Sequence, residues 1–177
     1  TPNYTVSRLR LSGSISTGNS PYSDALVPGS ASFTNTVAGD ALGTAMVAID
    51  TTGRTSSSGH LKAGSYTGIQ SVSALSGVDA VNYDFSAVVG DYAVARRALS
   101  GAAIAAVSTN YGTSAAPGAV GFGNVVGSDD VSGVVSLNSA QYSTSGQLNA
   151  GSYTQTADTT LSGGDAANYS FAGFTTS

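Results

Sequence analysis

Leu75-Ser-Gly-Val-Asp79-Ala-Val-Asn-Tyr83-Asp-Phe85 returns 86 residues later as Leu161-Ser-Gly-Gly-Asp165-Ala-Ala-Asn-Tyr169-Ser-Phe171. Such a match reports an internal duplication, and a duplication constrains the fold more strongly than any local propensity. Working outward, three more blocks recur in the same order. Tyr4-Thr-Val-Ser-Arg8-Leu-Arg-Leu11-Ser-Gly13 aligns with Tyr92-Ala-Val-Ala-Arg96-Arg-Ala-Leu99-Ser-Gly101 at an offset of 88. Tyr22, Pro28, Gly29, Phe33, Asn35 and Asp40 match Tyr111, Pro117, Gly118, Phe122, Asn124 and Asp129 at an offset of 89. Ser58-Gly-His-Leu-Lys-Ala-Gly-Ser-Tyr66 matches Ser145-Gly-Gln-Leu-Asn-Ala-Gly-Ser-Tyr153 at 87. The chain therefore reads as two β repeat units, 1–91 and 92–177. The second copy reaches Phe174-Thr-Thr-Ser177 where the first is about to arrive at Tyr92, so the expectation is two units of a longer array.

Composition narrows what such a unit can be. The 177 residues include 23 Gly, no Cys, no Trp, no Glu and a single Lys, Lys62, and only 9% are charged against roughly a quarter in an ordinary domain. Coiled coils and long surface helices need the Glu and Lys that are missing here. The net charge of −4 opposes nucleic-acid binding, and the lack of Cys excludes disulfides and thiolate metal sites. A hydrophobic content of 41% is nevertheless too high for a disordered acidic linker. No stretch approaches the ~18 apolar residues of a membrane helix, so membrane insertion is not expected.

An all-β unit is what remains. Ala98 to Val107 looks helical by alanine propensity, yet its counterpart Arg10 to Thr17 does not, and copies of one unit share one conformation. Both segments are predicted as strands. Within them the apolar phase changes between Tyr4/Val6 and Leu9/Leu11, and again between Val94 and Leu99, which predicts a bulge or a crossing between sheets. Alternation at Val47/Ile49, Val135/Leu137, Tyr83/Phe85 and Tyr169/Phe171 marks further strands between Gly, Asn and Asp turns. Val37 to Leu42 has the composition of a short helical turn. Leu75, Asp79, Tyr83 and Phe85 have the spacing of the tyrosine corner of immunoglobulin-like sandwiches, in which the hydroxyl bonds back to the preceding turn. The fold expected is two immunoglobulin-like β-sandwich repeats in series, with β-grasp-like repeats carrying one short helix each as the alternative.

Residues that could carry chemistry are few. His60 is the only histidine, and Gln147 stands at its place in the second copy. Many of the aspartates, Asp24, Asp40, Asp91, Asp129 and Asp165 among them, sit beside Gly or Ser, where they serve turns better than acid–base catalysis. Asp79, Asn82 and Asp84, or Asp129 and Asp130, offer oxygens to Ca²⁺, but the spacing of a calcium loop is missing. No catalytic residue, metal site or cofactor is therefore expected. Gly121-Phe-Gly123-Asn-Val-Val-Gly127 has the wrong spacing for a dinucleotide loop. Eight of the nine tyrosines pair across the repeats (4/92, 22/111, 66/153, 83/169) and are read as core volume in place of tryptophan. Tyr142 is unpaired, which makes it the single candidate for a surface binding aromatic. Arg8 and Arg96 recur at one strand position, where a charge opposes edge-to-edge pairing. Asn3-Tyr-Thr5 and Asn168-Tyr-Ser170 fit the N-glycosylation pattern but lie against tyrosines expected in the core.

The blocks Leu-Ser-Gly-x-Asp-Ala-x-Asn-Tyr-x-Phe, Ala-Gly-Ser-Tyr (63–66 and 150–153) and Val-Ala-Gly-Asp (37–40) resemble the YDG/MBG-type tandem repeats of large bacterial secreted adhesins. These include the filamentous-haemagglutinin-like exoproteins of two-partner secretion. The resemblance spans both units and implies an extracellular, cell-surface location in a Gram-negative bacterium. It also implies a non-catalytic stalk whose partners are neighbouring repeats of the same long chain, in the service of attachment or biofilm cohesion. The alternative function is a module that binds exopolysaccharide or host glycan. With one Lys and no Glu, a Lys–Asn isopeptide bond assisted by Glu is not expected, and each unit must hold by packing alone.

Overall fold

The computed structural model describes residues 3–176, which are nearly all β and irregular segments, with no α-helix among them. By contacts the chain divides into unit 1, Thr1–Thr55 with Ala63–Ala95, and unit 2, Ser56–Lys62 with Arg96–Ser177. This differs from the expected division in two ways. The boundary falls between Ala95 and Arg96, because Tyr92–Ala95 pairs with strands of unit 1. Ser56–Lys62 groups with unit 2, where the Ser58 amide donates to Asp129 Oδ1 (3.1 Å) and the Ser58 hydroxyl donates to the Val126 carbonyl (2.7 Å).

Unit 1 contains β1 (Leu9–Arg10), β2 (Gly13–Ile15), β3 (Gly18–Pro21), β4 (Ala31–Phe33), β5 (Ala45–Ile49), β6 (Gly64–Leu75), β7 (Tyr83–Asp84) and β8 (Val89–Ala95). Its main sheet runs β3-β8-β6-β5, with β3 parallel to β8 and the other pairs antiparallel. β2 pairs with β4, and β1 runs parallel to β7. Alternation in β5 turns Val47 and Ile49 inward and leaves Met46 and Ala48 exposed, as a half-buried strand requires. Leu11, Ile15, Val72, Tyr83 and Val88 form the core, with Phe33, Val47, Leu75 and Phe85 packed around it.

Unit 2 contains β9 (Arg97–Ala98), β10 (Ala103–Ile104), β11 (Val120–Gly121), β12 (Ser132–Leu137), β13 (Gln155–Ser162), β14 (Tyr169–Ser170) and β15 (Phe174–Thr175). The shared pairings return: β9 is parallel to β14, β10 pairs with β11, and β12-β13-β15 form a sheet. Phe122 and Phe171 meet edge to face at 5.0 Å, an orientation that sets a ring edge against a π-face. The alanine-rich segment contributes β9, β10 and irregular chain and no helix, as its counterpart required. Val37 to Leu42 forms a turn closed by the Asp40 amide on the Val37 carbonyl, and the single 3₁₀ turns lie instead at Ala80–Asn82 and Ala166–Asn168.

The tyrosine pairs divide in a way that the sequence did not indicate. Tyr22, Tyr83, Tyr92 and Tyr169 are buried, whereas Tyr4 is 93% and Tyr111 60% exposed. Tyr4 and Tyr111 are therefore not core residues. The reason is positional: Tyr92 lies inside a sheet, while Tyr4, its partner in the repeat, precedes β1 in unpaired chain.

Candidate functional site

Three polar braces recur in both units. Asn35 accepts from the Ser12 amide (2.7 Å) and donates to the Arg10 carbonyl (2.9 Å). Asn124 does the same with Ser100 (2.8 Å) and Ala98 (2.9 Å). A second brace is the buried glutamine. Gln70 Oε1 takes the Gly29 amide at 2.7 Å while Nε2 donates to the Ser16 carbonyl; Gln155 repeats both bonds with Gly118 and Ala105.

The third brace is the tyrosine clasp. The Tyr83 hydroxyl donates to Asp40 Oδ2 and accepts from the Val37 amide; in unit 2 Tyr169 donates to Asp129 Oδ2 (2.7 Å) and accepts from the Val126 amide (3.0 Å). Asp79 and Asp165 complete the clasp by accepting from the Ala41 and Asp130 amides. The expected corner is thus corrected: each hydroxyl reaches a loop about forty residues upstream and not the turn before it. Gly77 and Gly163 lie at φ 109° and 110° against the carbonyls of Ala41 and Asp130, positions that tolerate no Cβ. The Asp40 carboxylate raises the Tyr83 phenol above its ordinary value, with burial adding to the effect. Burial raises the Asp165 carboxyl, but bonds from Ser57 and the Asp130 amide outweigh it, and the net direction is downward.

The carboxylates weighed for Ca²⁺ all accept bonds from protein donors. Asp84 takes the Ser86 amide, Asp130 the Gly164 amide, and Asp129 both Ser58 and Tyr169. No cluster of three or more His, Cys, Asp or Glu suited to a metal exists among the described residues. His60 is half-buried in the Ser56–Lys62 loop, its carbonyl taking the Ser56 amide. Asn168 is 1% exposed, which closes that glycosylation pattern to an enzyme, while Asn3 is exposed beside an exposed Tyr4 and not a buried one. Tyr142 is 61% exposed and pairs through its backbone with Leu148.

Unit 2 also carries a groove of about 410 Å³ along Val107–Asn110 and Gly151–Tyr153. Tyr111, Pro117, Leu137 and Gln155 complete much of its lining. Hydrogen bonds from the Ser143 and Ser145 hydroxyls lower the Tyr111 phenol at this groove. Nothing in the sequence marks these walls as a site, and Val107–Asn110 and Gly151–Tyr153 correspond to paired strand residues of unit 1, Gly18–Pro21 and Gly64–Tyr66. No family model, curated protein or solved structure matches the chain.

Proposed function

We propose that the chain is a pair of non-catalytic spacer modules from the stalk of an extracellular bacterial adhesin, supporting surface attachment or biofilm cohesion. Each unit then reads as a small immunoglobulin-like sandwich, with its first strand parallel to its last but one, and its partners are further repeats of the same kind. The observation that carries this reading is the use made of the matched polar side chains. Asn35/Asn124, Asp40/Asp129, Gln70/Gln155, Asp79/Asp165 and Tyr83/Tyr169 bond to backbone or to one another, and of them only Gln155 touches the unit 2 groove, where its amide is taken up by Gly118 and Ala105. Residues preserved for catalysis would aim at a common point; these aim at turns.

Glycan binding is the second reading, favoured by Tyr142, an exposed ring outside the repeat pattern. A glycan array with the intact chain separates the two. The spacer reading predicts no saturable binding, and saturable binding lost in Tyr142→Ala contradicts it.

A further inference from the structure

We propose that Ser56–Lys62 is a strap that holds the Tyr169 clasp of unit 2 shut, so that unit 2 keeps its full stability only while β5 and β6 of unit 1 are folded. This coupling holds whether or not the chain is a spacer. In sequence the strap joins β5 to β6, and paired chain anchors both of its ends: the Asp50 amide donates to the Ile69 carbonyl (2.9 Å), and Gly64 pairs with Val94. In space it belongs to unit 2. It is a closed turn, with the Ser56 amide on the His60 carbonyl (2.8 Å) and the Gly59 amide on the Ser56 carbonyl (3.0 Å). Its counterpart, Ser143–Gln147, closes with the same two bonds at 2.8 and 2.9 Å. The turn is therefore a property of the repeat, and its bonds to the clasp are additional.

Each carboxylate of the clasp turns one oxygen to the clasp itself and the other to the strap. Asp129 Oδ2 takes the Tyr169 hydroxyl and Oδ1 takes the Ser58 amide (3.1 Å). Asp165 Oδ2 takes the Asp130 amide and Oδ1 takes the Ser57 amide (3.3 Å). The Ser58 hydroxyl bridges the facing loop, donating to the Val126 carbonyl (2.7 Å) and accepting from the Ser128 amide (2.9 Å). Under the strap Asp129 and Asp165 are 8% and 2% exposed, whereas Asp40 and Asp79 in unit 1 are only half-buried. A buried carboxylate oxygen stripped of its donor carries its full desolvation cost, so loss of the strap opens the clasp to water.

The loop that receives the strap is shaped for it. Unit 1 reads Val37-Ala38-Gly39-Asp40 where unit 2 reads Val126-Gly127-Ser128-Asp129. Gly127 lies at φ 50°, and a Cβ there would stand 2.7 Å from Ser58 Oγ, so the alanine of unit 1 does not fit beneath the strap. Ser128, in place of Gly39, adds a hydroxyl that donates to the Ser57 carbonyl (3.3 Å). Both departures from the unit 1 loop thus fall where the strap touches. The consequence is an order of unfolding. Once β5 and β6 separate, the strap loses its anchors, and its bonds to the clasp must offset the entropy of ordering it by themselves.

Urea unfolding of the intact chain, followed by NMR at the Val37 and Val126 amides, reads the two units separately. Val72→Ala, in the core of unit 1, should lower both midpoints. Ser58→Glu sets a carboxylate against Asp129 and lifts the strap without altering a clasp residue. In that variant the Val126 midpoint should fall and cease to respond to Val72→Ala. A Val72→Ala chain whose unit 1 does not fold serves equally, because the Val126 midpoint is then expected at its Ser58→Glu value. Amide exchange without urea is the second measurement. Ser58→Glu should speed exchange at Val126 and Asp130 by about tenfold or more, whereas Ser145→Glu, at the counterpart position, should change it by less than about twofold. A Val126 midpoint unmoved by Val72→Ala, a response to Val72→Ala that survives Ser58→Glu, or equal exchange in the two glutamate variants overturns the proposal.

Discussion

Units 1 and 2 share their braces and differ in one strand. Asparagine, glutamine and tyrosine–aspartate bonds are reproduced with nearly the same lengths, yet Tyr22 is buried and Tyr111 is 60% exposed. The difference follows from β8. Its Tyr92–Ala95 half closes the sheet of unit 1, and the matching walls in unit 2 line a groove. Local braces thus form wherever their residues occur, while burial of the aromatic pairs depends on a strand arriving from far along the chain.

The largest effect that would break this comparison is at that strand. Tyr92→Ala should destabilise unit 1 by about 3–5 kcal/mol, the usual cost of truncating a buried aromatic, whereas Tyr4→Ala should stay within about 0.5 kcal/mol, as exposed substitutions do. Urea unfolding followed by circular dichroism measures both, and equal losses would remove the distinction. Tyr169→Phe should cost unit 2 about 1–3 kcal/mol by leaving Asp129 and the Val126 amide without their partner. Tyr83→Phe should act in the same direction on unit 1, because Asp40 and Val37 lose the same hydroxyl.

Smaller and sharper is the asparagine pair. Asn35→Ala and Asn124→Ala should each cost about 1 kcal/mol, since each removes one accepted and one donated bond to backbone. A cost in one unit alone would show that the braces are not equivalent. The smallest effects are in titration. Asp165 has a folded value below its ordinary 3.8, so its contribution is complete above that value and is lost as the pH falls through the lowered one. Asp165→Asn should flatten that part of the acid-unfolding curve. The Tyr83 phenol is raised, so its contribution is present below pH 10 and is lost as the pH rises through the raised value. Tyr111 is lowered by Ser143 and Ser145, and in an ultraviolet titration Tyr111→Phe should remove a phenol that ionises below the ordinary value.

Much of this was readable from the repeat. The counterpart of Ala98 to Val107 argues correctly against a helix there, although only Ala98 and Ala103–Ile104 are strand and the rest is irregular, and of the matched tyrosines Tyr83, Tyr92 and Tyr169 are buried while Tyr4 and Tyr111 are not. The spacing from Asp79 to Tyr83 suggests a local bond, whereas the hydroxyl finds the Val-Ala-Gly-Asp loop in three dimensions. The equivalence of Gln70 and Gln155 is hidden in the sequence because their offset is 85 against 87 for Tyr66 and Tyr153. The difference lies at the register shift in β6 beside Gly68, where φ is 67°. The repeat alone does not fix the unit boundary, because a tandem repeat has no intrinsic phase. Only strand pairing shows that the first block of the second copy closes the first unit.

Amide hydrogen exchange on the intact chain tests the central claim most directly, since it reads strand pairing residue by residue. Slow exchange is predicted at Tyr92–Ala95 and Gly64–Tyr66, with fast exchange at Tyr4–Ser7 and Gly151–Tyr153 in dilute solution. Equal protection of the two Tyr-x-Val-x segments at that dilution would contradict it.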